Sequence, residues 1–201
     1  MNASTDTQQR IIESARELIY SRSYTDVGVA EICEHAGVKK GSFYHFFPSK
    51  QNLTLAVLDT LYLEFKNDLL DQAFSAQLMP LQRLDKMAEL IYRFQQDIFT
   101  DTGQMYGCPF GNLGVELSTQ DEAIRHKIDA IFTKMKSCIR QALVDAVEQG
   151  DVDAIDVDAT ADAILAYIEG SMLVAKTRND PEVLRRLLPA MRGIRLYPEQ
   201  A

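Results

Sequence analysis

Apolar residues recur along most of the chain at the three-and-four spacing of one helix face, and nowhere does the alternation of a strand persist. The first run is Ile11, Ile12, Ala15, Leu18 and Ile19, with Thr5, Asp6 and Thr7 offering N-cap oxygens just before it. Val29, Ile32, Cys33 and Ala36 predict a short second helix over 29–35, with Gly37 as its C-terminal stop. A third short helix is predicted over 40–46. Pro48 ends it, because a proline disfavours helical backbone in the residue before it. Ser49 then reads as the N-cap of a long fourth helix through Leu53, Val57, Leu61 and Phe65, although Asn52 stands where a capping box has Glu or Gln. Pro80, Gly103, Pro109, Gly150 and Pro181 divide the remainder into helices near 82–100, 110–117, 120–149, 157–177 and 181–195. The pattern predicts an all-α protein with a three-helix N-terminal domain over 1–50 and a larger helical domain over 51–201.

The stretch from Thr25 to Leu53 carries the sharpest chemistry. A short helix, a tight turn at Ala36-Gly37-Val38 and a second short helix form a helix-turn-helix, in which the first helix braces the second against the major groove of DNA. Gly41 and Ser42 stand at the groove end, where small residues allow close approach. Lys39, Lys40 and Lys50 are placed to neutralise phosphates, and Tyr44 and His45 to donate hydrogen bonds to phosphates or base edges. The first amides of the fourth helix, near Lys50, form a further phosphate site. Phe43, Phe46 and Phe47 are expected to close the small core beneath.

Charge then has to be reconciled with a polyanionic partner. The 201 residues carry a formal net charge of −8. Residues 1–52 are balanced, with six Lys/Arg and six Asp/Glu, whereas the other 149 hold 15 against 23. DNA contact is therefore confined to the N-terminal part, and the acidic remainder repels the duplex. Hydrophobic residues at 46% and no apolar run near membrane-spanning length predict a globular protein with no membrane segment. The N-terminus lacks the pattern of a secretory signal, and a cytoplasmic location is expected. Three widely separated cysteines, Cys33, Cys108 and Cys138, argue against a disulfide scaffold.

The string from Gly37 to Lys50, GVKKGSFYHFFPSK, resembles the signature of TetR-family regulators, G-V-S-K-G-[ST]-[LF]-Y-x-[YH]-F-x-[SN]-K, with Ala30 to Cys33 resembling the approach to it. The likeness covers about 45 residues, and Lys39 departs from it where a small residue is common. It implies a helical subunit, a homodimer, a double-stranded DNA operator, and repression relieved by a small-molecule effector, with the 51–201 region serving ligand binding and dimerisation. No enzymatic activity and no cofactor are expected.

Within that region the helix over 157–177 is apolar nearly all round, so one side can face its own core and the other a partner. The expected interface is Ile164, Tyr167, Ile168 and Met172, with Leu184, Leu188 and Met191 from the last helix. Tyr92, Phe99, Tyr106, Phe110, Asn112 and Phe132 are candidate linings for an effector pocket, the alternative being ordinary core. The segment from Gly107 to Leu117, GCPFGNLGVEL, resembles the G-C-x-x-x-N-L-x-x-E-L element of a TetR subgroup that includes electrophile- and oxidant-responsive repressors. Two readings of Cys108 stand: a thiol activated at a helix start, with Lys176 as a candidate cation, or a small buried residue serving the turn.

Rival chemistries are weaker. A thiol hydrolase using Cys108 and His126 lacks an orienting group. Cys33 and His35 supply only two metal ligands. Asp151, Asp153, Asp156 and Asp158 fail the calcium-loop pattern, and capping of the following helix is the better reading. No metal is expected.

Overall fold

The computed structural model describes residues 3–198. Among them every regular element is helical: α1 (Ala3–Ser21), α2 (Val29–His35), α3 (Lys40–Phe46), α4 (Lys50–Phe65), α5 (Asp71–Ala73), α6 (Pro80–Thr102), α7 (Pro109–Leu117), α8 (Glu122–Glu148), α9 (Val157–Arg178) and α10 (Glu182–Leu187). A π turn over Lys66–Leu70 joins α4 to α5, and a 3-10 segment over Leu188–Gly193 follows α10.

Several boundaries follow from the residues anticipated. Gly37 adopts φ 62° behind α2, and Val38 N–H reaches back to Cys33 C=O at 2.9 Å, closing the helix end. Phe47, ahead of Pro48, is forced out of the helix to φ −130°. Ser49 Oγ accepts from Asn52 N–H at 3.1 Å, while its hydroxyl donates to Asn52 Oδ1, so asparagine completes the cap in place of Glu or Gln. Asp156 caps α9 by accepting from Ala159 N–H at 2.9 Å.

Two boundaries differ from expectation. Thr5, Asp6 and Thr7 lie inside α1 rather than ahead of it; Asp6 occupies the first turn, where a negative charge favours the helix. The last helix does not run evenly to 195, because Pro189 has no N–H to donate and the chain tightens to 3-10 from Leu188. Pro181 stands one residue ahead of α10, with Asp180 Oδ1 accepting from Glu182 N–H.

The chain divides into two compact units. The first comprises residues up to Leu63 together with Pro109–Asp129, so the expected 1–50 module lies inside it, joined by most of α4, by α7 and by the start of α8. Its core is Ile11 and Ala15 of α1, Ile32 of α2, Phe43 of α3, Leu53 and Leu58 of α4, Phe110, Leu113 and Leu117 of α7, and Ile124 of α8, all buried. Arg10 ties α1 to the end of α2 through the carbonyls of Ala36 and Gly37.

The second unit, Glu64–Cys108 and the chain from Ala130 onward, buries Leu84, Met87, Ile131, Ile139, Leu143, Ile164, Ile168, Val183 and Leu184. These elements hold the residues expected at a dimer face. Ile164, Ile168, Met172, Leu184, Leu188 and Met191 are covered by the protomer's own packing, and Tyr167 is half-buried with its hydroxyl on Leu187 C=O at 2.8 Å. On α9, Ala166, Gly170 and Leu173 are exposed.

Candidate nucleic-acid interface and thiol loop

Helix α3 separates its residues into two faces. Phe43 and Phe47 point into the core, with ring centroids 6.1 Å apart. Lys39, Lys40, Gly41, Tyr44 and His45 are exposed on the other side, and Ser42 is half-buried between them. Tyr44 is 55% exposed, yet its ring stands edge-on to Phe43 at 5.1 Å, which fixes its direction. A Cβ added at Gly41 would meet nothing within 4 Å, so that end of the helix is open to a close approach. Cation, phenol and imidazole are thus carried on a short helix that α1 and α2 brace from behind.

Lys50 is engaged differently. Its ammonium donates to Tyr24 C=O and lies 3.9 Å from the centre of the Tyr24 ring. Burial pulls it below the ordinary lysine range, and the carboxylate of Glu116 offsets part of that pull. Glu116, on α7, accepts from Tyr24 N–H at 2.9 Å and from Thr25 N–H at 2.7 Å. Burial alone would raise the Glu116 carboxyl; the hydrogen bonds from Thr25 and Tyr24, together with the Lys50 charge, hold it below the usual carboxylate range instead. In the sequence Glu116 is marked only as the acidic position of the G-C-x-x-x-N-L-x-x-E-L element.

Cys108 lies in the second unit at the end of the 103–108 loop and is 8% exposed. Its thiol hydrogen-bonds to the half-buried Glu169 of α9. Burial pushes the Glu169 carboxyl up, and the bond from Cys108 draws it partly back. A carboxylate beside a thiol disfavours thiolate, but one lifted by burial is also a better proton acceptor. Lys176, the expected cation, is exposed two helical turns beyond Glu169.

The loop itself is held firmly. The fully buried Gln95 donates from Nε2 to Gly107 C=O at 3.0 Å. Asn179, which ends α9 at φ 50°, accepts from Met105 N–H at 2.8 Å and donates to Gly103 C=O at 3.1 Å. Asn179→Ala is expected to cost about 2–3 kcal/mol, from two lost hydrogen bonds plus a left-handed backbone that alanine resists. Asn179→Gly loses the bonds alone and is expected to cost about 1 kcal/mol less. Denaturant unfolding with equal costs for both variants would remove the backbone from that account.

The pocket candidates are not gathered by one unit: Phe110 and Asn112 belong to the first, and Tyr92, Phe99, Tyr106 and Phe132 to the second. Asn112 borders a cleft of about 30 Å³ in the first unit, alongside Tyr20, Val57 and Leu113, room for a water rather than an organic effector. The Tyr92 hydroxyl is spent on Glu182 at 2.6 Å. His126 lies beside Arg125 and Glu122 on its own helix. Among the described residues no helix is long and apolar enough to cross a membrane.

A braced helix with an exposed basic face, followed by a larger helical region, defines a helix-turn-helix transcriptional regulator. The comparisons make this particular. Residues 11–57 match the family described as bacterial regulatory proteins, tetR family, and residues 80–191 match the tetracyclin repressor-like C-terminal domain. The chain belongs to the TetR family of transcriptional regulators. It is 34% identical to the transcriptional regulator AcuR of Cereibacter sphaeroides over 88% of this chain and 79% of that one. It is 27% identical to the HTH-type transcriptional repressor NemR of Escherichia coli over 98% and 99%. A solved regulatory protein TetR from Rhodobacter sphaeroides superposes with a TM-score of 0.80 at 31% identity, covering 94% of this chain and 98% of that one. The family and these relatives are transcriptional regulators rather than enzymes.

Proposed function

We propose that this regulator is a repressor that binds a palindromic operator as a homodimer, reads the major groove with α3, and is released by a small effector acting on the 103–108 loop. The observation that carries the reading is the exposed face of α3, where Lys39, Lys40, Tyr44 and His45 stand together around the open backbone at Gly41. The second copy docks on α9 at the exposed Ala166, Gly170 and Leu173. Cys108 is the group we assign to a covalent effector. An α,β-unsaturated carbonyl compound or quinone takes the sulfur at its activated C=C bond; the S–C bond forms as that π bond breaks, and its electron pair takes up the thiol proton by way of Glu169.

A duplex selected from a random pool against the wild-type protein is expected to be an inverted repeat, its half-sites centred about 34–36 Å apart. Benzoquinone is then expected to release wild type but not Cys108→Ser. Failure to enrich any sequence would sink the DNA-binding reading. Release of both proteins would favour a non-covalent effector instead, a reading that the shielded position of Cys108 also supports.

A further inference from the structure

We infer that Glu116 is a positioning residue that locks α7 to the DNA-reading head, so that a displacement of the 103–108 loop is delivered to α2 and α3 by way of its carboxylate. The inference rests on the repressor reading above and adds to it the part of the molecule that couples effector to operator.

Helix α7 falls within residues 80–191, the stretch matching the C-terminal domain of the family, yet it is a member of the first compact unit. Its buried residues Phe110, Leu113 and Leu117 belong to that unit's core. Its first residue, Pro109, follows Cys108 directly in the chain, so α7 is the immediate continuation of the thiol loop.

Apolar packing on its own lets one helix slide over another by small steps, because it has little direction. Glu116 supplies direction. Its two oxygens take the adjacent amides of Tyr24 and Thr25, at 2.9 and 2.7 Å, and this fixes both the place and the orientation of the loop between α1 and α2. Lys50, the first residue of α4, grips the same loop through Tyr24 C=O and the Tyr24 ring. The loop leads into α2, which braces α3. Further ties join α4 to the segment that follows α7: Gln51 donates to Asp121 at 2.8 Å, and Lys127 of α8 pairs with Asp59. Each of these is a single contact, and the second is solvent-exposed, so neither sets an orientation as the two-amide grip does.

Coupling between two binding events is reciprocal, so the operator must be felt at α7 if α7 is felt at the operator. The test therefore needs no effector. Amide hydrogen exchange over residues 103–117 is measured on the full chain, free and saturated with the selected duplex, so that differences in affinity do not enter. Wild type is expected to show exchange slowed at least fivefold by the duplex. Glu116→Gln keeps the shape but can no longer present two anionic acceptors, and Glu116→Asp keeps the charge but is one methylene too short to span both amides. In both variants the duplex-dependent slowing is expected to fall below twofold, while Val115→Gln, at a neighbouring 92% exposed position, retains it. Absence of slowing in wild type, or slowing that survives both substitutions, overturns the inference. If either variant fails to fold, the wild-type result and the remaining variant decide it. No enriched duplex at all would count against the repressor reading; an enriched duplex without Glu116-dependent slowing counts against the coupling alone.

Discussion

Replacing Lys39 and Lys40 together by alanine is expected to weaken operator binding by about 10²- to 10⁴-fold at physiological salt, with no loss of folding stability. Both side chains are exposed, ahead of or on the first turn of α3, so the fold leans on them little. In a homodimer the change removes four cations. Each phosphate neutralised contributes about −0.9 to the slope of log K against log salt, so the slope should become shallower by roughly 3 to 4. That slope is the discriminating measurement, because a general loss of structure lowers affinity without altering the dependence in this direction. The acidic remainder of the chain, with 23 Asp/Glu against 15 Lys/Arg beyond residue 52, makes these two lysines more costly to lose. A salt slope equal to that of wild type would show that Lys39 and Lys40 do not face phosphates.

How much of this was legible depended on whether the signal was local. Helices α2 and α3 could be bounded to the residue, because Gly37 and Pro48 act through their own backbone chemistry. The start of α1 was not, since its first turns carry no apolar period and the threonines and aspartate there serve a helix interior as readily as a cap. Helix α9 exposed a different limit. An apolar surface nearly all round the helix was visible, but which side of it is covered turns on what the rest of the protomer packs against it, and the structure gives the core to Ile164, Ile168 and Met172. Lys50 and Glu116 were least legible. Glu116 meets its amides 91 and 92 residues away in sequence, and backbone amides are present at every non-proline position, so no residue type marks the partner. Lys50 was visible as a cation, but its use on Tyr24 was not.

Phe43→Ala is expected to destabilise the DNA-reading head by about 3–5 kcal/mol, the range for emptying a fully buried aromatic site. Phe43 has no exposed surface and belongs to the core shared by α1, α2 and α4. A domain is stable by only about 5–15 kcal/mol, so a loss of that order greatly raises the fraction of molecules with α3 undocked. Phe43→Leu keeps most of the volume and is expected to cost about 1–1.5 kcal/mol. Denaturant unfolding followed by far-ultraviolet circular dichroism gives both values, and a cost below about 1 kcal/mol for Phe43→Ala would mean that α3 is held by something other than this ring. The effect on operator binding should exceed that of Tyr44→Ala, although Tyr44 is the residue that faces outward. Tyr44→Ala removes one donor, whereas Phe43→Ala removes the edge-on ring that directs Tyr44 and the anchor that presents Lys40 and His45 on the same face. The reverse order would place the recognition energy in Tyr44 itself rather than in the way α3 is held.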